Sequence, residues 1–200
     1  VHGEFHQLGE LVKRSGGVIH FSELQGKDGG FIFNGIRVPY CNVQGGYGIF
    51  KPRVSPLGAL SIITSWRSGT DAPYEDRIEN ETGKLIYKYQ GTDPQNHFNK
   101  ALRGAWVNKL PIIHFLGVER GYYLPAFPCF IVQDNPKKLE VLISYSEREI
   151  DSPSQADDFV SSDLNRGYQT IEVNKRIHQE IFRHRVMNAY QASCTVCKLK

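Results

Sequence analysis

Apolar residues fall at Phe5, Leu8, Leu11 and Val12 near the start of the chain, a helical spacing that Ser15-Gly16-Gly17 interrupts. The pattern predicts a helix over Val1 to Arg14. Beyond it the period shortens. Gly26, Gly29-Gly30, Gly35, Gly45-Gly46 and Gly48 divide the chain into brief apolar segments, including Phe31-Ile32-Phe33 and Ile36-Arg37-Val38-Pro39-Tyr40. Such punctuation belongs to strands and turns. Leu60 to Trp66 is a β-branched run, a predicted strand. Leu85 to Tyr89 is another, with Leu85, Tyr87 and Tyr89 on one face and Ile86 and Lys88 on the other. His97 to Lys109 then places Phe98, Ala101, Leu102, Ala105 and Trp106 on one helical stripe. Leu110 to Leu116, Phe127 to Gln133 and Leu139 to Tyr145 complete the strands, with turns at Gly117, Gly121 and Asn135-Pro136.

Near residue 150 the pattern changes. Residues 151–171 are polar and hold an acidic, serine-bearing stretch, the composition of a linker or exposed loop. From Glu172 to Ala192 it turns helical again, with Val173, Ile177, Val186 and Ala189 on one side and Lys175, Arg176, Arg183 and Arg185 making the segment basic. The fold expected from pattern alone is α+β: a β-rich unit over 1–150 with flanking helices, a linker over 151–171, and a basic helix within 172–200 that ends in C-x-x-C.

Composition narrows the class. The chain has 200 residues, 40% hydrophobic and 22% charged, which suits one globular domain with a short appendage. A core of that size needs neither disulfides nor metal. The longest apolar runs are about half of a membrane span, so no membrane partner is expected. No charged start leads into an apolar stretch, so the chain does not read as secreted and a cytoplasmic setting is expected. A net charge of +3 permits a polyanionic partner without requiring one. Cys41 and Cys129 stand alone among apolar neighbours and read as small hydrophobes. Cys194 and Cys197 have ligand spacing, but nothing else in the chain supplies a second pair for a complete zinc site.

The densest polar and aromatic cluster runs from Ser65 to Asn99. Flat rings beside a carboxylate are what a pocket for a planar heterocycle needs, since rings sandwich a base and the acceptor takes its exocyclic amine proton. Tyrosines alternating on a strand also serve ordinary sheet packing. Glu75 and Asp76, being adjacent, point to opposite faces if extended and make a poor acid–base pair. Gly45-Gly46-Tyr47-Gly48 lacks the ending of a phosphate loop and reads as a turn. His114, between Ile113 and Phe115, reads as a hydrogen-bonded core histidine rather than a catalytic one.

Tyr74-Glu75-Asp76-Arg77, Gly83, Tyr87-Lys88-Tyr89-Gln90-Gly91 and Asn99-Lys100-Ala101-Leu102 resemble, in order and spacing, the core of SRA domains, the readers of modified cytosine. Gly48 to Arg53, Tyr89 to Pro94, Pro111 to Val118 and Phe127 to Val132 are similar to bacterial SRA-HNH proteins, modification-dependent restriction endonucleases. Phe182 to Tyr190 with Cys194 and Cys197 resembles the start of their HNH nuclease. The resemblance implies a PUA-like SRA fold and recognition of modified cytosine in double-stranded DNA by base flipping. Tyr74 and Tyr89 would stack on the base, Asp76 would read its edge, and Gly91 and Thr92 would complete the contacts.

The same resemblance makes 91–98 the DNA-inserting loop, with Gln95, Asn96 and His97 as candidates to fill the vacated gap. Arg77 stands where the family carries a second aspartate. Phosphate contacts would come from Lys51, Arg53, Arg67, Lys88, Lys100 and Arg103, with Arg77 and Asn99 also beside the DNA. No cofactor is implied for the binding unit. Zinc, on Cys194, Cys197 and a further pair, and a divalent metal such as magnesium belong to a complete HNH domain, whose catalytic residues the chain lacks. A homodimer is compatible with this reading. Two others remain: a non-catalytic PUA-like reader of RNA or unmodified DNA, and a small-molecule hydrolase using a Tyr74–Tyr89 cleft.

Overall fold

A computed structural model describes residues 3–25, 27–42, 48–65, 77–78, 83–145 and 179. The domain boundaries expected at 150 and 171 lie outside them. The fold is built around one strand that is apolar on both faces. Ile112, Ile113, His114 and Phe115 are all buried at the start of β8 (Ile112–Glu119). A strand with no solvent face must be covered twice. Ile113 and Phe115 belong to a cluster completed by Leu8 and Leu11 of α1 (Gly3–Arg14). Ile112 belongs to a second cluster, with Ala101, Leu102 and Ala105 of α3 (His97–Val107).

The remaining elements fill in around these layers. They are β1 (Ile19–His20), α2 (Phe21–Leu24), β2 (Phe31–Phe33), β3 (Ile36–Val38), β4 (Ile49–Phe50), β5 (Ser61–Thr64), β6 (Arg77–Ile78), β7 (Leu85–Lys88), β9 (Tyr122–Asn135) and β10 (Glu140–Ser144). The main sheet runs β4-β5-β8-β9-β10-β7-β6, with β1 also pairing β9, while β2 and β3 form a separate hairpin. β5 and β8 are parallel, with Ile62 opposite His114, and every other pair is antiparallel. The parallel pair requires a long crossover, and the chain makes it through β6, β7 and α3.

β9 has 14 residues and serves three partners: its first part pairs with β8 and, at Tyr122 and Tyr123, with β1, and its last part pairs with β10. Register shifts beside His114, Gly117 and Ile143 bend the ladders where the partners change, and the sheet curls. The sequence predicts only Phe127 to Gln133 here. The strand instead begins at Tyr122, because Gly121, at φ +80°, makes the tight turn that returns the chain from β8. β1 and α2 give no periodic signal and are missed for want of length. Elsewhere the alternation predicted for Leu85, Tyr87 and Tyr89 is observed, all three side chains joining the α3 cluster. The architecture is a mixed α+β fold.

α3 is fixed by an unusually close approach. The Ala59 N–H donates to the Ala101 carbonyl at 2.9 Å, which brings the 57–59 backbone onto the helix. A Cβ on Gly58 would stand 2.5 Å from the Ala105 nitrogen, and one on Gly104 would collide with the Leu57 carbonyl. Gly9, in α1, has open space at the same position. The two helical glycines should therefore respond oppositely to alanine. Gly9→Ala should stabilise by about 0.5–1 kcal/mol through helix propensity. Gly104→Ala should lose about 1–3 kcal/mol despite the same propensity gain. Urea midpoints of the two variants decide this; a rise for Gly104→Ala contradicts the backbone contact.

Candidate nucleic-acid interface

The segment joining β7 to α3 is short, polar and held from below. Gly91 turns the chain at φ +65°, a conformation that costs a side-chain-bearing residue more than glycine. Asn99, in the first turn of α3, is fully buried under this turn. Its Oδ1 accepts from the Gln90 N–H at 2.8 Å, and its Nδ2 donates to the Gln90 and Asp93 carbonyls at 3.0 and 2.8 Å. Asp93 Oδ1 accepts from the Gln95 N–H, and Asn96 caps the helix by accepting from the Phe98 N–H. The result is a loop with an internally bonded base and an exposed tip, where Gly91, Thr92, Asp93, Gln95 and His97 face solvent. Lys100 is exposed one residue beyond Asn99, and Lys51 and Arg53 are exposed after β4.

Four residues expected to touch DNA are otherwise engaged. Tyr89 is only 1% exposed, with its ring in the cluster beneath α3. Its hydroxyl donates to Asp134 Oδ1 and accepts from Arg103 Nη2 at 3.3 Å. Burial, and then the bond to Asp134, pushes the phenol above its ordinary pKa. Tyr89 thus presents no open ring face to a base and is a core residue here. The stacking role is what the SRA resemblance implies; the structure instead matches ordinary sheet packing of alternating tyrosines, with α3 closing over the ring. Asn99 is likewise a buried staple rather than a surface contact. Arg103 Nε donates to Asp134 Oδ2 at 3.0 Å, and Lys88 pairs with Glu140 at 2.6 Å. Their charges are directed at their own sheet. Asp134, the acceptor that organises α3 over β9, carries no motif in the sequence and is visible only in three dimensions.

Tyr74, Asp76, Arg67, Cys194 and Cys197 lie outside the described residues. Arg77 opens β6 opposite Ile86, and its side chain lies outside them too. The structure therefore brings together Gly91, Thr92, Gln95, Asn96, His97 and Lys100 on one loop and helix start. Among the described residues no group of His, Cys, Asp and Glu could hold a metal ion, and no helix is long and apolar enough to cross a membrane.

His114 is 2% exposed, with Nε2 3.0 Å from the Thr64 hydroxyl and Nδ1 3.1 Å from the Tyr145 hydroxyl. Both ring nitrogens are satisfied, as expected for a core histidine. Cys41 and Cys129 are buried thiols. Burial raises both, Cys41 to about 12, so neither is a thiolate nucleophile near neutrality. No family model, curated protein or solved structure matches the chain.

Two measurements follow from this geometry. Burial lowers the His114 pKa from 6.5 to about 4. Between those values the unfolded chain binds the proton and the folded chain does not, so stability falls as the solution is acidified through that window. The loss should approach roughly 3 kcal/mol at its lower edge. His114→Gln should flatten urea midpoints measured against pH, and an equally steep profile in the variant would assign the slope elsewhere. Asn99→Ala strands backbone groups of the loop and should cost about 2–3 kcal/mol, with faster proteolytic cleavage between residues 90 and 97. Unchanged cleavage and midpoint would mean that Asn99 does not hold the loop.

Proposed function

We propose that this chain is a PUA-like, SRA-type module that binds double-stranded DNA and recognises modified cytosine extruded from the helix. The observation that carries the reading is the Asn99 clamp. Two of the motifs on which the resemblance rests, Tyr87 to Gly91 and Asn99 to Leu102, are hydrogen-bonded to each other, and the loop between them presents a polar tip. A held loop loses little conformational entropy on entering a duplex. Its position at the N-terminal end of α3, beside Lys100, favours phosphate. Lys51 and Arg53 offer further positive charge.

In this reading Tyr89 supports the loop from within the core, and stacking falls to Tyr74, with Asp76 reading the base edge. Flipping costs a few kcal/mol and stacking returns roughly 1–3 per base. A C5 methyl adds only about 1 kcal/mol by burial, so discrimination needs a wall that excludes the wrong substituent. The segment carrying Cys194 and Cys197 would begin the HNH nuclease that cuts the marked DNA, with zinc held by those cysteines and a further pair. The closed ring of Tyr89 favours one competing reading, a nucleic-acid reader that binds backbone and shape without extruding a base.

Titration of the chain with otherwise identical duplexes carrying cytosine, methylcytosine, hydroxymethylcytosine or its glucosylated form separates the two. One modified duplex should bind at least about tenfold tighter, a difference of about 1.4 kcal/mol. Equal affinity for all four, or displacement of every duplex by structured RNA at fixed salt, overturns the proposal. Replacing Lys51, Arg53 and Lys100 with glutamine should reduce the slope of log affinity against log salt by about 2–3. An unchanged slope places the duplex on another face.

A further inference from the structure

A groove opens between α1, β2, the 54–60 segment and the turn at 110–111. It lies at the C-terminal end of α3, separated from the exposed loop by the length of that helix, roughly 16 Å. Its volume is about 170 Å³, and Phe31, Val54, Leu57, Leu60 and Leu110 make most of its wall. Within this apolar lining stands one carboxylate, Glu4, in the first turn of α1.

Glu4 is 9% exposed. Its backbone carbonyl accepts from the Tyr40 hydroxyl at 3.1 Å, but no described residue donates to its carboxylate or forms an ion pair with it. Nor are its oxygens sealed: among the described residues the unpartnered side-chain atom cut off from solvent is Gln25 Oε1. Set in an apolar wall yet open to the groove, this carboxylate is a docking point for a cation that none of the described residues supplies. The rim extends the apolar character outward. Leu57 is 58% exposed and Phe33 37%, with Ile32 and Ile36 exposed on the same hairpin.

We propose that this groove receives a lysine side chain projecting from an apolar segment of a partner protein, its ammonium on Glu4 and its methylenes against Leu57, Leu60 and Leu110. Lysine suits this slot: its ammonium is a compact charge with three donors on a slender, flexible stem whose methylenes can lie along the apolar wall. The exposed rim distinguishes a polypeptide from a free amine, which would fill the slot and leave the hairpin uncovered. The site is independent of the DNA-binding reading and stands or falls separately.

The test uses the full chain labelled with ¹⁵N and a capped Leu-Ile-Lys-Leu-Phe peptide, followed by amide shifts. The amides of Leu57, Leu60 and Leu110 should move on titration, and the peptide should bind at least tenfold tighter than its twin with norleucine in place of lysine. Glu4→Gln should remove that preference. Leu57→Ser, a change at an exposed rim position, should weaken the peptide several-fold while leaving the remaining spectrum in place. Equal affinity of the lysine and norleucine peptides, an unaltered preference in Glu4→Gln, or shifts confined to another surface each overturn the proposal. If n-butylamine binds as tightly as the peptide, the partner-protein occupant is wrong.

Discussion

A strand buried on both faces is the constraint on which the rest of this molecule depends. The first half of β8 offers no side to water, so α1 and the β2–β3 hairpin must cover one face and α3 the other. Its parallel pairing with β5 then forces a long excursion between the two strands. That excursion contains β6, β7, the exposed loop and α3. The loop proposed to meet DNA is thus part of the crossover that allows β8 to be central.

Three polar side chains inside the fold divide the work of holding these layers. Asn99 satisfies the backbone of the loop, Asp134 draws Arg103 and Tyr89 together across the α3–sheet boundary, and His114 joins Thr64 to Tyr145 within the curled sheet. Each uses its hydrogen-bonding capacity on the protein itself, as buried polar groups do. These groups make the packing specific, since an apolar substitute would fill the space without fixing the register of loop against helix.

Sequence pattern reveals the elements whose signal is local. α1 and α3 show their apolar stripes, and β7 shows its alternation, because 3.6- and 2-residue periods are written directly in the chain. The short β1 and α2 are too brief for any period, and the length of β9 depends on pairing with β1, β8 and β10, which no local window contains. The candidate site was legible only in part. The helix from His97 and the loop before it are expected from the sequence, but the Asn99 clamp is not, and nothing in Tyr87-Lys88-Tyr89 says that α3 will close over the second ring. Arg103 and Asp134 are 31 residues apart, and Glu4 reaches its groove through the packing of α1 on the hairpin. Long-range juxtaposition is what composition cannot encode residue by residue.

The paired absence of side chains at Gly58 and Gly104 has a mechanical meaning. Main chain rests on main chain there, with no rotatable group between to absorb displacement. Leu57, which borders the groove at one end of the helix, presses its own carbonyl toward that contact. A side chain added at either glycine would therefore wedge the 57–59 segment off α3 and part the groove's edge from the helix.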